Sequence, residues 1–128
     1  MTQADIRFGK GKVNQEITST GHQLQADVPV ADGGDATGPS PHDYLAIALG
    51  ACTGMTLRMY AQRKTWPLED VRTTVTFEKE GDVSLFKRAI TLIGTLDDTQ
   101  KGRLLEIANQ CPVHKILSGK IRIDTRLA

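Results

Sequence analysis

A chain of 128 residues has room for one domain, expected to run over 1–128, and none for a second. Its 39% apolar and 24% charged residues are the balance of a soluble globular protein, which excludes a disordered or membrane-embedded chain. Sixteen basic against fifteen acidic side chains leave a formal charge of +1, and aromatic residues make up only 5%, so neither nucleic acid nor an anionic membrane is expected as partner. The segment Met1 to Gly9 carries Asp5 and Arg7 and has no apolar core, so it does not read as a signal peptide and a cytoplasmic protein is expected.

Residues 4–30 alternate apolar and polar positions, with Ile6, Phe8, Val13, Ile17, Leu24, Ala26 and Val28 on the apolar phase. That period of two predicts two or three antiparallel strands, punctuated at Gly9, Gly11 and Gly21. The run 31–39, rich in Gly, Asp and Pro, reads as a flexible loop. Ser40-Pro41-His42-Asp43 then reads as a helix start, with Ser40 as N-cap, Pro41 in the first turn and Asp43 closing a capping box near the positive pole of the helix. From Tyr44 to Ala61 the helix is apolar almost all round in its first half, which predicts burial on most sides. It is too short and too interrupted by Thr and Arg58 for a bilayer, which needs about 20 apolar residues. Ala46, Ala48, Gly50, Ala51 and Gly54 would allow another backbone to approach, and Arg63, Lys64, Trp66 and Pro67 end the helix.

Val71, Thr73, Val75 and Phe77 alternate with polar residues over 69–79, and 84–95 supplies a partner strand across the turn at Glu80-Gly81-Asp82. Asp97 or Asp98 caps a second helix that runs to Ala108 and buries Leu104, Leu105 and Ile107. Pro112 breaks it, Pro112–Leu117 winds one further turn closed by Gly119, and Ile121, Ile123 and Leu127 alternate in a last strand. The order is α+β, a sheet covered by helices.

Two cysteines, Cys52 and Cys111, stand 59 positions apart, so no CxxC redox or zinc motif exists. Cys52 lies mid-helix among small apolar residues, where a buried core thiol is the plainer reading and a reactive one the sharper. About three turns separate it from the helix start, so the dipole helps it little. Cys111 opens Cys-Pro-x-His, at the entry of a helical turn whose N–H groups would favour a thiolate. His114 with the two cysteines and His22 or His42 lacks paired ligand spacing, so no metal is expected.

The stretch Gly38-Pro39-Ser40-Pro41-His42-Asp43-Tyr44-Leu45 followed by Ala48-Leu49-Gly50-Ala51-Cys52-Thr53 resembles the central helix of OsmC/Ohr-like proteins. Met55-Thr56-Leu57-Arg58-Met59-Tyr60-Ala61 with Trp66-Pro67-Leu68 continues the likeness, and Cys111-Pro112-Val113-His114 with Leu117, Gly119 and Ile121 resembles the second cysteine motif. The resemblance covers nearly the whole chain in order and is closest to the OsmC-like branch. It implies the OsmC-like fold, with antiparallel sheets packed around a long central helix in an intertwined homodimer.

The same resemblance implies thiol-dependent reduction of organic hydroperoxides in oxidative or osmotic stress defence. Cys52 would be the peroxidatic cysteine and Cys111 the resolving one, with an external dithiol as reductant and no metal or organic cofactor. In the family an arginine from an early strand activates the first cysteine and a glutamate at the helix start holds it. Here the early cations are Arg7, Lys10 and Lys12, with Lys12 nearest, and at the glutamate's place stand His42 and Asp43, the latter one methylene shorter. A lysine supplies charge without the planar fork of arginine. Arg58, six positions after Cys52, points about 120° away round the helix. His42, Tyr44, Leu49 and Met55, with Leu45, are the expected lining of a substrate pocket. The alternative is a non-catalytic or redox-sensing relative that holds an apolar small ligand at the dimer interface.

Overall fold

A computed structural model describes residues 1–128, and the chain divides into two compact units, Met1–Leu45 and Ala46–Ala128. In the first unit the alternating segment forms β1 (Asp5–Phe8), β2 (Gln15–Ser19) and β3 (His22–Ala26), an antiparallel sheet in the order β1-β2-β3. Ile6 faces Ile17 and Ile17 faces Leu24, so one apolar row crosses the sheet. The turn between β2 and β3 has Thr20 at φ 46° and Gly21 at φ 85°, the positive pair that matches the twist of a two-residue hairpin.

The loop after β3 differs from the flexible segment expected at 31–39, because Asp27 ties it down. Asp27 is 2% exposed, and its carboxylate accepts from the Val28 N–H (2.7 Å), the Thr37 N–H (3.1 Å) and the Thr37 hydroxyl. The Ala36 N–H reaches the Val28 carbonyl and the Asp27 N–H reaches the Pro39 carbonyl, both at 3.0 Å. A 3-10 turn at Val30–Asp32 fits inside this frame. Gly34 must be glycine, since a Cβ there would come 2.2 Å from the Val28 carbonyl oxygen. Asn14, also buried, donates to Gln25 Oε1 and Thr37 Oγ1 and joins the loop to the sheet.

Helix α1 (Pro41–Lys64) starts with the expected capping box. The Ser40 N–H donates to the Asp43 carboxylate at 2.9 Å and the Asp43 N–H to Ser40 Oγ at 3.1 Å. Its buried residues, Leu49, Thr53, Leu57 and Ala61, recur every fourth position and make one stripe. Burial on most sides was expected, but Leu45, Ile47, Met55 and Met59 are exposed, because the single chain supplies packing for one face only.

In the second unit β4 (Leu68–Glu80) and β5 (Val83–Gly94) form a long antiparallel hairpin, with Thr73 opposite Ile90, Val75 opposite Arg88 and Phe77 opposite Phe86. Helix α2 (Asp98–Ala108) is capped by Asp97, whose carboxylate accepts from the Gln100 N–H at 2.7 Å while Gln100 Oε1 accepts from the Asp97 N–H. Leu57, Leu104, Ile107 and Ala108 form the core, closed by Tyr60, Trp66, Val71, Ile90 and Leu92. Leu57 and Leu104 are fully buried, each worth about 1.5–3 kcal/mol in transfer from water. Leu105, expected inside, is 62% exposed, because the helical stripe is already complete with Leu104, Ile107 and Ala108.

Helix α3 (Pro112–Leu117) takes Cys111 as its N-cap, and the Gly119 N–H closes it on the Ile116 carbonyl. The last strand expected at 121–127 is not formed. Ile121, Ile123 and Leu127 are 60%, 82% and 97% exposed, since alternation prescribes an apolar face but no strand of this chain pairs with it.

Candidate active site

The second unit brings the two cysteines together. Cys52, half-buried in the middle of α1, and Cys111, fully buried at the entry of α3, are both free thiols, and each acts on the other's titration. The Thr56 hydroxyl, one turn along α1 from Cys52, and the Val113 backbone N–H of α3 also act on the Cys52 sulfur. Cys111 Sγ accepts from the His114 N–H at 3.4 Å, so the sulfur itself serves as the helix cap.

These contacts split the two thiols. Burial raises the pKa of Cys52, but the Val113 N–H, the Cys111 thiol, the Thr56 hydroxyl and the Arg88 charge outweigh it and hold Cys52 below an ordinary cysteine. Burial likewise raises Cys111, the His114 N–H only partly offsets it, and a thiolate on Cys52 pushes it further up. The turn at Cys-Pro-x-His was expected to favour a thiolate on Cys111. Instead its Val113 amide serves Cys52, while Cys111 stays protonated under full burial and beside the other sulfur.

Arg88 supplies the nearby charge, and sequence reasoning missed it. It projects from β5 on the inward phase shared by Phe86, Ile90 and Leu92. Its Nη1 donates to Thr53 Oγ1 (3.1 Å) and the Ala108 carbonyl (3.2 Å). Its Nη2 donates to Asn109 Oδ1 (2.9 Å) and faces His114 Nδ1 at 3.2 Å. All four partners are neutral, and none of the chain's side-chain ion pairs includes Arg88. A guanidinium cannot accept, so His114 Nδ1 is the acceptor and the ring proton sits on Nε2. Burial, and then the Arg88 charge, lower the His114 pKa and keep the ring neutral. The Thr53 hydroxyl donates to the Leu49 carbonyl at 2.6 Å, leaving its lone pairs to Arg88. The signal that could have found Arg88 is a cation standing at an apolar phase of a strand.

Two clefts border the site. One of about 480 Å³ is lined by Leu49, Phe86, Arg88, Ile90, His114 and Leu117 among others. The second, an open groove of about 670 Å³, is bordered by Thr56, Met59, Gln62, Arg63 and Pro112, of which Thr56 lies one helical turn after Cys52 and Pro112 follows Cys111, while neither cysteine lines it.

The remaining expected site residues fall elsewhere. Leu49 is buried on the α1 stripe and lines the first cleft, whereas Met55 is 63% exposed and lines neither. Asp43 is held by Ser40, whose backbone N–H and then hydroxyl lower its pKa. Tyr44 donates its hydroxyl to the Gln25 carbonyl, and His42 lies exposed in the first turn of α1 beside Asp43. Lys12 lies in the turn between β1 and β2, where its backbone N–H donates to Asp35 at 3.0 Å. The charge felt at Cys52 is that of Arg88.

Residues 33–126 match the family model for OsmC-like proteins. Among solved structures, the OsmC-like protein of Mycoplasma pneumoniae aligns over 93% of this chain and 88% of its own, with 17% identity and a TM-score of 0.80. The organic hydroperoxide resistance protein OsmC of Legionella pneumophila aligns over 93% and 90%, with 24% identity and a TM-score of 0.66. The organic hydroperoxide resistance protein OhrB of Bacillus subtilis aligns over 93% and 91%, with 24% identity and a TM-score of 0.60. No curated protein matches the chain. These likenesses agree with the α+β class and antiparallel sheets found above. No helix is long and apolar enough to cross a membrane.

Proposed function

The chain belongs to the OsmC-like protein family, and we propose that it is a thiol-dependent peroxidase acting on organic hydroperoxides, with Cys52 as the attacking and Cys111 as the resolving cysteine. The observation that carries the reading is that α1 and the entry of α3 bring two free thiols within reach of each other, with Cys52 held below and Cys111 above an ordinary cysteine. Two structural neighbours, from Legionella pneumophila and Bacillus subtilis, are named for organic hydroperoxide resistance.

The chemistry follows from the split. The Cys52 thiolate attacks one peroxide oxygen, the O–O bond breaks, and the departing alkoxide takes a proton to leave as alcohol, with Cys52 now a sulfenic acid. The Cys111 thiol then displaces water from that sulfenic sulfur to give a disulfide. An external dithiol reduces the disulfide and restores both thiols. The Val113 N–H and the Arg88 charge favour the thiolate in the first step. The groove at Thr56, Met59, Gln62, Arg63 and Pro112 is the proposed approach for an organic peroxide, since Thr56 acts on the Cys52 sulfur and Pro112 follows Cys111.

A homodimer belongs to the same proposal. Leu45, Ile47, Met55 and Met59 on α1, and Ile121, Ile123 and Leu127 near the C-terminus, are apolar surface that a second copy would cover. Sedimentation at low micromolar concentration is expected to give twice the 14.0 kDa chain mass.

Turnover of cumene hydroperoxide with dithiothreitol tests the activity. Wild type is expected to turn over, Cys52→Ser to fall to the rate of dithiol alone, and Cys111→Ser to accumulate sulfinic acid at Cys52, seen by intact mass. A wild type no faster than dithiol alone sinks the peroxidase reading. It would favour a redox-sensing relative that holds an apolar ligand in the cleft beside Arg88.

A further inference from the structure

We propose that Arg88 is the positioning residue of the thiol pair: one guanidinium fork fixes the Ala108–His114 segment against α1, and so sets where the Val113 amide and the Cys111 sulfur stand relative to Cys52. The inference rests on the peroxidase reading for its purpose, though not for its test.

The geometry carries it. Arg88 bonds no sulfur, yet every partner it has is a chain neighbour of one. Thr53 follows Cys52 in α1, while Ala108 and Asn109 lie before Cys111 and His114 lies three residues after it. The segment that carries Cys111 is therefore held at both ends by a single side chain, and the same side chain is fastened to α1 beside Cys52. The acceptors lie 20 to 35 residues from Arg88 in sequence and sit on three different elements, which only a planar fork of fixed donors can reach together. The Ala108 carbonyl belongs to the end of α2, where helix carbonyls lack intrahelical partners and a cation is favourable. His114 anchors the far side, and its own backbone N–H caps α3 on Cys111 Sγ.

Because all four acceptors are neutral, the clamp leaves the positive charge of Arg88 uncompensated near Cys52. Charge and geometry are thus joined in one residue, and substitution separates them. Lysine keeps the charge but its compact ammonium loses the fork. Methionine loses both.

The test uses full-length protein without any hydroperoxide. It measures the rate of Cys52–Cys111 disulfide formation with diamide, a thiol oxidant, and the pH profile of Cys52 alkylation by iodoacetamide, read by peptide mass. A displacement of about 1 Å between reacting groups costs up to about a hundredfold, so Arg88→Lys is expected to slow disulfide formation about ten- to a hundredfold. The same variant moves the alkylation midpoint upward, as the Val113 amide leaves the sulfur, and Arg88→Met moves it further. Asn109→Ala, which removes one exposed anchor, is expected to slow disulfide formation several-fold and keeps the test open if Arg88→Met does not fold. Asp97→Ala, which weakens a helix cap away from the pair, should leave both thiol readouts at wild type.

Wild-type disulfide rates and alkylation profiles in folded Arg88→Lys and Asn109→Ala overturn the proposal. So does Arg88→Lys behaving as wild type while Arg88→Met is slow, because Arg88 would then act by charge alone. A wild type inert to cumene hydroperoxide removes the peroxidase reading and leaves these readouts intact. Peroxide turnover with unperturbed thiols in Arg88→Lys removes only the positioning role.

Discussion

Asp27 and Arg88 are each a charged group seated among neutral dipoles, but they differ in reach. Asp27 gathers the amides of Val28, Asp35 and Thr37 and the Thr37 hydroxyl, all within ten residues. It shapes one loop. Arg88 gathers acceptors from α1, the end of α2 and α3, none nearer than 20 residues. A local knot lowers the entropy of its own segment, whereas a clamp of long reach fixes elements against one another. The second kind is found beside the cysteines, where relative position decides chemistry.

The comparison breaks most visibly at Arg88. Arg88→Met takes the donor from Thr53 Oγ1 and His114 Nδ1, and urea denaturation should show a loss of about 2–4 kcal/mol together with the altered thiol behaviour described above. Thr53→Val removes one anchor and the bond to the Leu49 carbonyl, and about 1–2 kcal/mol is expected by the same method. A cap with no part in either cluster gives the baseline: Asp97→Ala should cost about 1 kcal/mol, read as a lower thermal midpoint.

Asp27→Asn sharpens the other side. Hydrogen exchange should quicken at the Val28, Asp35 and Thr37 amides, while Cys52 alkylation keeps its wild-type profile. If the thiols respond instead, Asp27 is not a local device.

Acid makes the smallest and most specific change. The Thr37 hydroxyl first, then the Val28 amide, hold Asp27 at about 2, below the 3.8 of an unperturbed carboxyl, against the opposing effect of burial. The folded state therefore favours the charged form. Its contribution is complete above 3.8 and is lost as pH falls towards 2. Amide protection in the loop should fall across that window in wild type and stay flat in Asp27→Asn.

How much of this was legible depends on the range of each interaction. The capping box of Ser40 and Asp43, the cap at Asp97 and the β4–β5 hairpin are fixed by residues a few places apart, and they could be read directly. The one-sided burial of α1 could not, because composition shows which residues are apolar and not how many faces the chain can cover. The missing last strand has the same origin, an apolar alternation without a pairing edge. At the site, Cys52 and Cys111 were named from motif likeness, but which sulfur the Val113 amide serves depends on where α3 meets α1. Arg88 was missed, although a cation on the apolar phase of β5 could have marked it, and its four partners could not be read at all, since no local pattern links position 88 to 53, 108, 109 and 114.

Helix α3 begins on a sulfur atom, and that has a consequence for how the molecule reports its own state. A thiol can cap a helix only while its lone pairs are free to face the His114 amide. Once Cys111 is tied to another sulfur or capped by a reagent, that acceptor turns away or weakens, and the six residues of α3 lose their starting contact. The His114 amide then becomes a clock hand for the thiol: its NMR shift and exchange rate should follow oxidation and return on reduction, whatever oxidant is used.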